Sequence, residues 1–292
     1  MYSQIDSNKR NSVILMMLFI TIIIGIGYGL EYLWGDGSYI IVWGAIILSL
    51  LMTSVSYFKG DKIALTSTGA KPISKETDRS IYNMVENLCI ASGIPMPKVY
   101  IIEDMAINAF ATGRKPELSS IALTRGAIQK LENEELEGVI AHELSHVKNY
   151  DIRFMTLVAV LVGTIALISD IFIRAQFFGG KRESKNSHPA FLIVGIVLAI
   201  LSPLIAELIK LAISRKREYL ADASASLLTR YPDGLASALE KINKEKIPLK
   251  KASTATAHLF IASPFSGKQK LKSLFSTHPP IEERIKKLRG MI

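Results

Sequence analysis

The chain has 292 residues, 49% of them hydrophobic, and a formal charge of +9. Its positive mean hydropathy is high for a soluble enzyme, and a lone cysteine, Cys89, excludes an internal disulfide framework and fits a reducing compartment. No aromatic-and-basic motif accompanies the charge, so nucleic acid is not expected as a partner and anionic membrane lipid is.

Residues 11–30 carry no charge and are long enough to cross a bilayer, which takes about 20 apolar residues. A small-residue cleavage site is lacking and a second uncharged run, residues 38–58, follows at once. The two predict a transmembrane hairpin over residues 1–59 rather than a signal peptide. Lys9 and Arg10 precede it, Lys59 and Lys62 follow it, and the short connection holds only Glu31 and Asp36. By the positive-inside rule the amino terminus and everything after Phe58 face the cytoplasm, across the cell (inner) membrane.

Residues 60–153 read as a cytoplasmic catalytic part. Ile81, Met84, Val85 and Leu88 stand at helical spacing and predict a helix over 75–91, ended by the Pro95-Met96-Pro97 turn. Residues 99–102, 107–112 and 120–123 predict short strands. A further helix is expected from Asn133, with Asn133 as its cap and Glu134 and Glu135 complementing its dipole. It carries His142-Glu143-Leu144-Ser145-His146, the pattern H-E-x-x-H. Residues four apart share a helical face, so both imidazoles can reach one metal ion, and Glu143 is placed to take a proton from water. That is the arrangement of a zinc peptidase, and one Zn2+ per chain is the expected cofactor.

Two more apolar runs, 154–173 and 190–213, predict a second helix pair over 154–213, with Pro203 as a kink. Two further spans are the expectation. Their connection, however, holds Arg174, Lys181, Arg182 and Lys185 against Glu183, which runs against the positive-inside bias. A re-entrant hairpin or a buried pair is the alternative. Residues 214–292 are polar, helical in pattern and basic near the end, and supply the rest of the catalytic part. The fold class expected is a mainly α membrane protein of α+β type: transmembrane helices, a helical H-E-x-x-H zinc-peptidase domain and a small β-sheet.

A catalytic zinc takes three protein ligands and leaves one position for water. The remaining candidates are His188, His258, His278 or a carboxylate. Glu218 and Asp222 stand four apart, so that Glu218 can ligate while Asp222 accepts a hydrogen bond from a ligating imidazole. An ordinary solvated helix meets the same spacing, which leaves the choice open.

Four stretches together carry a family likeness: Asn108-Ala109-Phe110-Ala111-Thr112-Gly113, residues 136–146, Arg217-Glu218-Tyr219-Leu220-Ala221-Asp222, and Ser276-Thr277-His278-Pro279-Pro280 with Arg284. In these the sequence resembles the HtpX-type membrane zinc metallopeptidases, relatives of the CAAX prenyl proteases. The resemblance implies His142, His146 and Glu218 as zinc ligands, Glu143 as general base and Asp222 as the carboxylate behind a ligand. It also implies cleavage of misfolded or damaged membrane proteins under stress. Processing of a few defined substrates, or a zinc-stabilised scaffold without turnover, are the alternatives.

His278 and Arg284 are candidate donors to the oxyanion of the tetrahedral intermediate. A helix cap for His278 and a salt bridge for Arg284, to Asp222 among others, serve equally. Asn108 and Ala109 are expected on an edge strand near the metal, where a substrate peptide could bind in extended form. Phe110 is expected in the core.

Overall fold

A computed structural model describes residues 2–178, 214–245, 247–265 and 279–291. Helices α1 (Tyr2–Trp34) and α2 (Ile40–Thr68) form the predicted hairpin, each long and apolar enough to cross a membrane. Glu31 closes the connection: its carboxylate oxygens accept from the Tyr39 and Ile41 amides at 3.1 and 3.3 Å. That satisfies main-chain donors at the start of α2, which otherwise lack helical partners. Helix α2 runs without a break ten residues past Phe58 and ends at Gly69, in left-handed backbone at φ 72°.

The soluble part begins with β1 (Ala70–Pro72), a strand too short and too near a proline for the sequence pattern to reveal. Helix α3 (Arg79–Ser92) starts four residues later than expected, because the Asp78 side chain accepts from the Ile81 amide and caps it there. Strands β2 (Lys98–Ile102), β3 (Ala109–Gly113) and β4 (Ser119–Thr124) lie where sequence places them. The sheet runs β1-β2-β4-β3, with β2 parallel to β4 and the other pairs antiparallel, so β3 is an edge strand as expected.

After α4 (Arg125–Lys130) comes α5 (Asn133–Lys148), the H-E-x-x-H helix. Its cap is Glu132 rather than Asn133, and the Glu132 amide donates to Glu135 Oε2 at 2.8 Å. A long carboxylate three residues on reaches back more effectively here than an Asn side chain inside the first turn. Helix α6 (Asp151–Phe178) leaves α5 at 86°, through Tyr150 in left-handed backbone (φ 61°).

Although apolar, the first half of α6 is largely covered by protein. Phe154, Leu157, Val158 and Leu161 pack with Leu15 and Phe19 of α1. The second apolar run of the expected pair, 190–213, lies outside the described residues. Helices α7 (Arg215–Thr229), α8 (Pro232–Glu245) and α9 (Ile281–Arg289) are the remaining α-helices among the described residues. Among the described residues the architecture is mainly helical with one small mixed sheet, the expected class.

The main core lies between the sheet, α3, α5 and α8 and is built on Val85, Ile121, Leu123, Ile140, Leu144 and Leu239. Helix α5 is buried on nearly every side, so it is held from all directions. Its close approach to α8 depends on Gly138, where a Cβ would stand 2.7 Å from the Leu235 amide nitrogen. A rigid, fully packed helix is what a preorganised site requires.

Candidate metal centre

His142, Glu143 and His146 project from α5 into the interior, exposed by 0, 1 and 4%. The two histidines turn their Nε2 atoms toward one another at 3.2 Å. Glu218 enters from α7, its carboxylate oxygens 3.7 Å from each Nε2. One donor atom from each of the three lies within 4.8 Å of the others. Of the third-ligand candidates among the described residues, Glu218 stands beside the two imidazoles and His258 does not. The His258 Nε2 donates to the Met155 carbonyl at 2.9 Å, inside a separate part of the core. His188 and His278 lie outside the described residues.

Each imidazole is held from behind by a carboxylate. His142 Nδ1 is 3.0 Å from Asp222 Oδ1, and His146 Nδ1 is 3.0 Å from Asp151 Oδ2. Such contacts fix which nitrogen carries the proton and leave Nε2 free to ligate. Asp222 is thus the carboxylate behind His142. Asp151 was not anticipated, since its only signal in sequence was a lone carboxylate opening an apolar run. Behind Asp151 stands Asn8 of α1, donating to Asp151 Oδ1 at 2.6 Å and to the Asn149 carbonyl at 2.9 Å. The first helix thus reaches the site.

Arg284 is fully buried and grips Asp222 with two bonds, Nε to Oδ2 at 2.9 Å and Nη2 to Oδ1 at 2.7 Å. Its Nη1 donates to the Ile261 carbonyl at 2.9 Å and lies 3.6 Å from Glu218 Oε2. Of the two roles open to Arg284, the salt bridge to Asp222 is the one present. Each of its three nitrogens thus makes a hydrogen bond, to Asp222 or to the Ile261 carbonyl.

Asn108 immediately precedes the edge strand β3 and Ala109 opens it. Both are buried, Asn108 Nδ2 donates to the Ala262 carbonyl at 3.1 Å, and the Ala109 carbonyl accepts from the Ile261 amide at 3.0 Å. Residues 260–262 lie along this end of the edge strand. Phe110 packs edge-on against Phe260, in the core as expected.

The electrostatics favour a cation. Glu143, Asp151, Glu218 and Asp222 are all buried, and the guanidinium groups near them are those of Arg217 and Arg284. With neutral imidazoles the excess is two negative charges, which a divalent ion would balance. Burial pushes His142 down to about 4, against the pull of Asp222 and with the push of Arg284. Burial opposes charge on His146 too, but the Asp151 hydrogen bond and the Glu218 and Glu143 charges outweigh it and raise it to about 9. Asp222 is held below its ordinary range despite burial, chiefly by Arg284. Burial lifts Glu143 to about 7, while the Ala111 main chain gives its carboxylate a hydrogen bond. The Glu143 Oε1 atom has no hydrogen-bond partner among the described residues. Two imidazole nitrogens and one carboxylate oxygen, with an unbonded carboxylate oxygen beside them, fit a catalytic zinc-type donor set.

The model of peptidase family M48 matches residues 75–292 of this sequence. The chain belongs to that family. Three curated relatives, each described as a "Protease HtpX homolog", match almost end to end. The one from Caldanaerobacter subterraneus subsp. tengcongensis is 43% identical, over 100% of this chain and 98% of its own. That from Thermoanaerobacter pseudethanolicus is 45% identical over the same shares, and that from Dictyoglomus thermophilum 43% over 99% and 94%. A crystal structure of S. mikatae Ste24p aligns at a TM-score of 0.49 and 20% identity, over 99% of this chain and 67% of that one. This M48 peptidase is a membrane-bound metalloprotease, with His142, His146 and Glu218 grouped where a metal ion could be held.

Proposed function

We propose that this M48 peptidase is a zinc endopeptidase of the cell membrane whose metal centre faces the cytoplasm, and that its substrates are misfolded or damaged membrane proteins. The observation that carries the chemistry is the convergence of His142 Nε2, His146 Nε2 and the Glu218 carboxylate beside the unbonded Oε1 of Glu143. His142, His146 and Glu218 would hold the ion, which when bound would polarise the scissile carbonyl and lower the pKa of water. Glu143 takes the proton of the attacking water on Oε1 and delivers it to the nitrogen of the leaving amine. Asp222 and Asp151 keep the two imidazoles aimed, and Arg284 and Asn8 keep the carboxylates in place.

Orientation follows from Lys9, Arg10, Lys59 and Lys62 at the outer ends of the hairpin. The contact of Asn8 with Asp151 supports it, because it puts the amino-terminal end of α1 on the side of the metal centre. The quality-control role rests on the likeness to the HtpX homologues. Cleavage of casein and of a destabilised membrane protein by detergent-purified enzyme tests the reading. Phenanthroline is expected to stop both and added Zn2+, but not Mg2+, to restore them. Cleavage indifferent to the chelator would refute it.

Asn8→Ala carries a prediction of its own. Removing the donor leaves Asp151 free to turn, so zinc affinity is expected to fall by about tenfold or more. Competition with a chromophoric chelator measures it. Unchanged affinity would show that Asn8 only packs the helix.

A further inference from the structure

Where the apolar part of α2 gives way to polar residues, a cavity of about 210 Å³ opens between α2, the start of β2, the turn linking β3 to β4, and the first two turns of α6. None of the metal-centre residues lines it. Five basic side chains do, Lys59, Lys62, Lys98, Arg114 and Arg153, against a single carboxylate, Asp61. Among the described residues, none of the five lies within ion-pair distance of a carboxylate. Like charges gathered around so small a space repel one another, and a neighbouring hydrocarbon layer screens them poorly.

The cations are held in place. Arg114 lies over the Phe58 ring at 4.9 Å and the Tyr57 ring at 5.6 Å, and Arg153 is 5.9 Å from Tyr57. Arg153 Nε donates to the Arg114 carbonyl at 2.7 Å, which ties the two together and leaves the Nη groups available. Ser56 also lines the cavity. It is 1% exposed and, among the described residues, its Oγ has no hydrogen-bond partner. A buried hydroxyl left unbonded is costly, and a ligand oxygen would satisfy it.

The walls are of the opposite character. Leu51, Val55 and Phe58 stand at i, i+4 and i+7 on α2 and are all exposed, leading along one helical face down to the cavity. Leu118 is exposed on the other rim. A basic floor with a buried hydroxyl, opening onto an apolar wall that continues into the bilayer, matches the two halves of a phospholipid. Inorganic phosphate matches only the floor.

We propose that this cavity binds the phosphate of an anionic phospholipid headgroup, with its acyl chains along the Leu51–Val55–Phe58 face of α2. Basic pockets at the ends of membrane helices favour anionic headgroups in this way. The proposal depends on α2 lying in the bilayer and is independent of the peptidase chemistry.

The test uses the full chain, delipidated in detergent, and native mass spectrometry to count bound lipid. Dihexanoyl phosphatidylglycerol, dihexanoyl phosphatidylcholine and inorganic phosphate are titrated separately. Saturable binding of one phosphatidylglycerol is expected, with phosphatidylcholine much weaker. Lys59→Gln, Lys62→Gln and Arg114→Gln should each weaken it by about fivefold, whereas Lys244→Gln and Glu143→Gln should bind as wild type. The two lysines are exposed on a helix, so their variants fold. Equal binding of phosphatidylcholine, or phosphatidylglycerol binding unmoved by the three substitutions, would overturn the site. Inorganic phosphate binding as tightly, with the same sensitivity to the substitutions, would confirm a phosphate site and overturn the lipid as its occupant.

Discussion

Glu143→Gln is expected to lower peptide-bond cleavage by about 10²- to 10⁴-fold while leaving zinc bound. The substitution keeps the shape of the side chain and removes only its capacity to take a proton. It also has a stability signature with a definite sign. In the metal-free protein burial raises the Glu143 carboxyl from 4.5 to about 7. A carboxyl raised in the folded state is stabilising to keep protonated, so the wild type loses stability as pH rises from 4.5 through about 7 and the buried charge forms. Glutamine carries no such charge. After chelation, the variant should therefore melt above the wild type at pH 8, and the difference should close toward pH 5. A variant that melts lower at pH 8, or that still cleaves at the wild-type rate, would show that Glu143 is not the buried, proton-accepting group described.

Arg284→Leu is expected to destabilise the protein by about 3–5 kcal/mol, the cost of stripping the partner from a buried ion pair. Asp222 is 2% exposed and takes two bonds from this one guanidinium. Without it a carboxylate remains in the interior beside Glu218, and the Ile261 carbonyl loses its donor as well. Arg284→Lys should recover little, since an ammonium cannot present the paired N–H geometry that Asp222 meets. Adding Asp222→Asn to Arg284→Leu should restore part of the loss, because the unpaired charge is then gone. Thermal unfolding in detergent measures all three. A loss under about 1 kcal/mol for Arg284→Leu would mean that Asp222 finds another partner.

The parts of this site that sequence discloses are those set by helical periodicity. His142 and His146 share a face of α5, and Glu218 and Asp222 share a face of α7, because four residues make about one turn. Periodicity does not say which faces meet. A ligand role for Glu218 is therefore what the family resemblance implies, and the structure supplies the geometry of the group. Asp151 and Asn8 were invisible for a related reason. Asp151 follows a left-handed residue and an 86° bend, and Asn8 stands 143 positions from the group it holds. No local pattern encodes either contact. The surroundings of Asn108 and Ala109 are hidden for another reason. The edge strand was legible, but the chain segment that covers its end, residues 260–262, has no periodic signal that would bring it there. Helix boundaries moved by capping, at Asp78 and Glu132, where a side-chain oxygen decides the first turn.

On the proposed reading His142, His146 and Glu218 hold one ion on which cleavage depends. Metal content of the detergent-purified chain, measured by inductively coupled plasma mass spectrometry for wild type, His146→Ala and Glu218→Ala, tests it most directly. About one zinc per chain is predicted for the wild type, with most of it lost in both variants and cleavage lost alongside. Zinc retained at the wild-type level in both variants, or a wild type that cleaves while holding no metal, would contradict it.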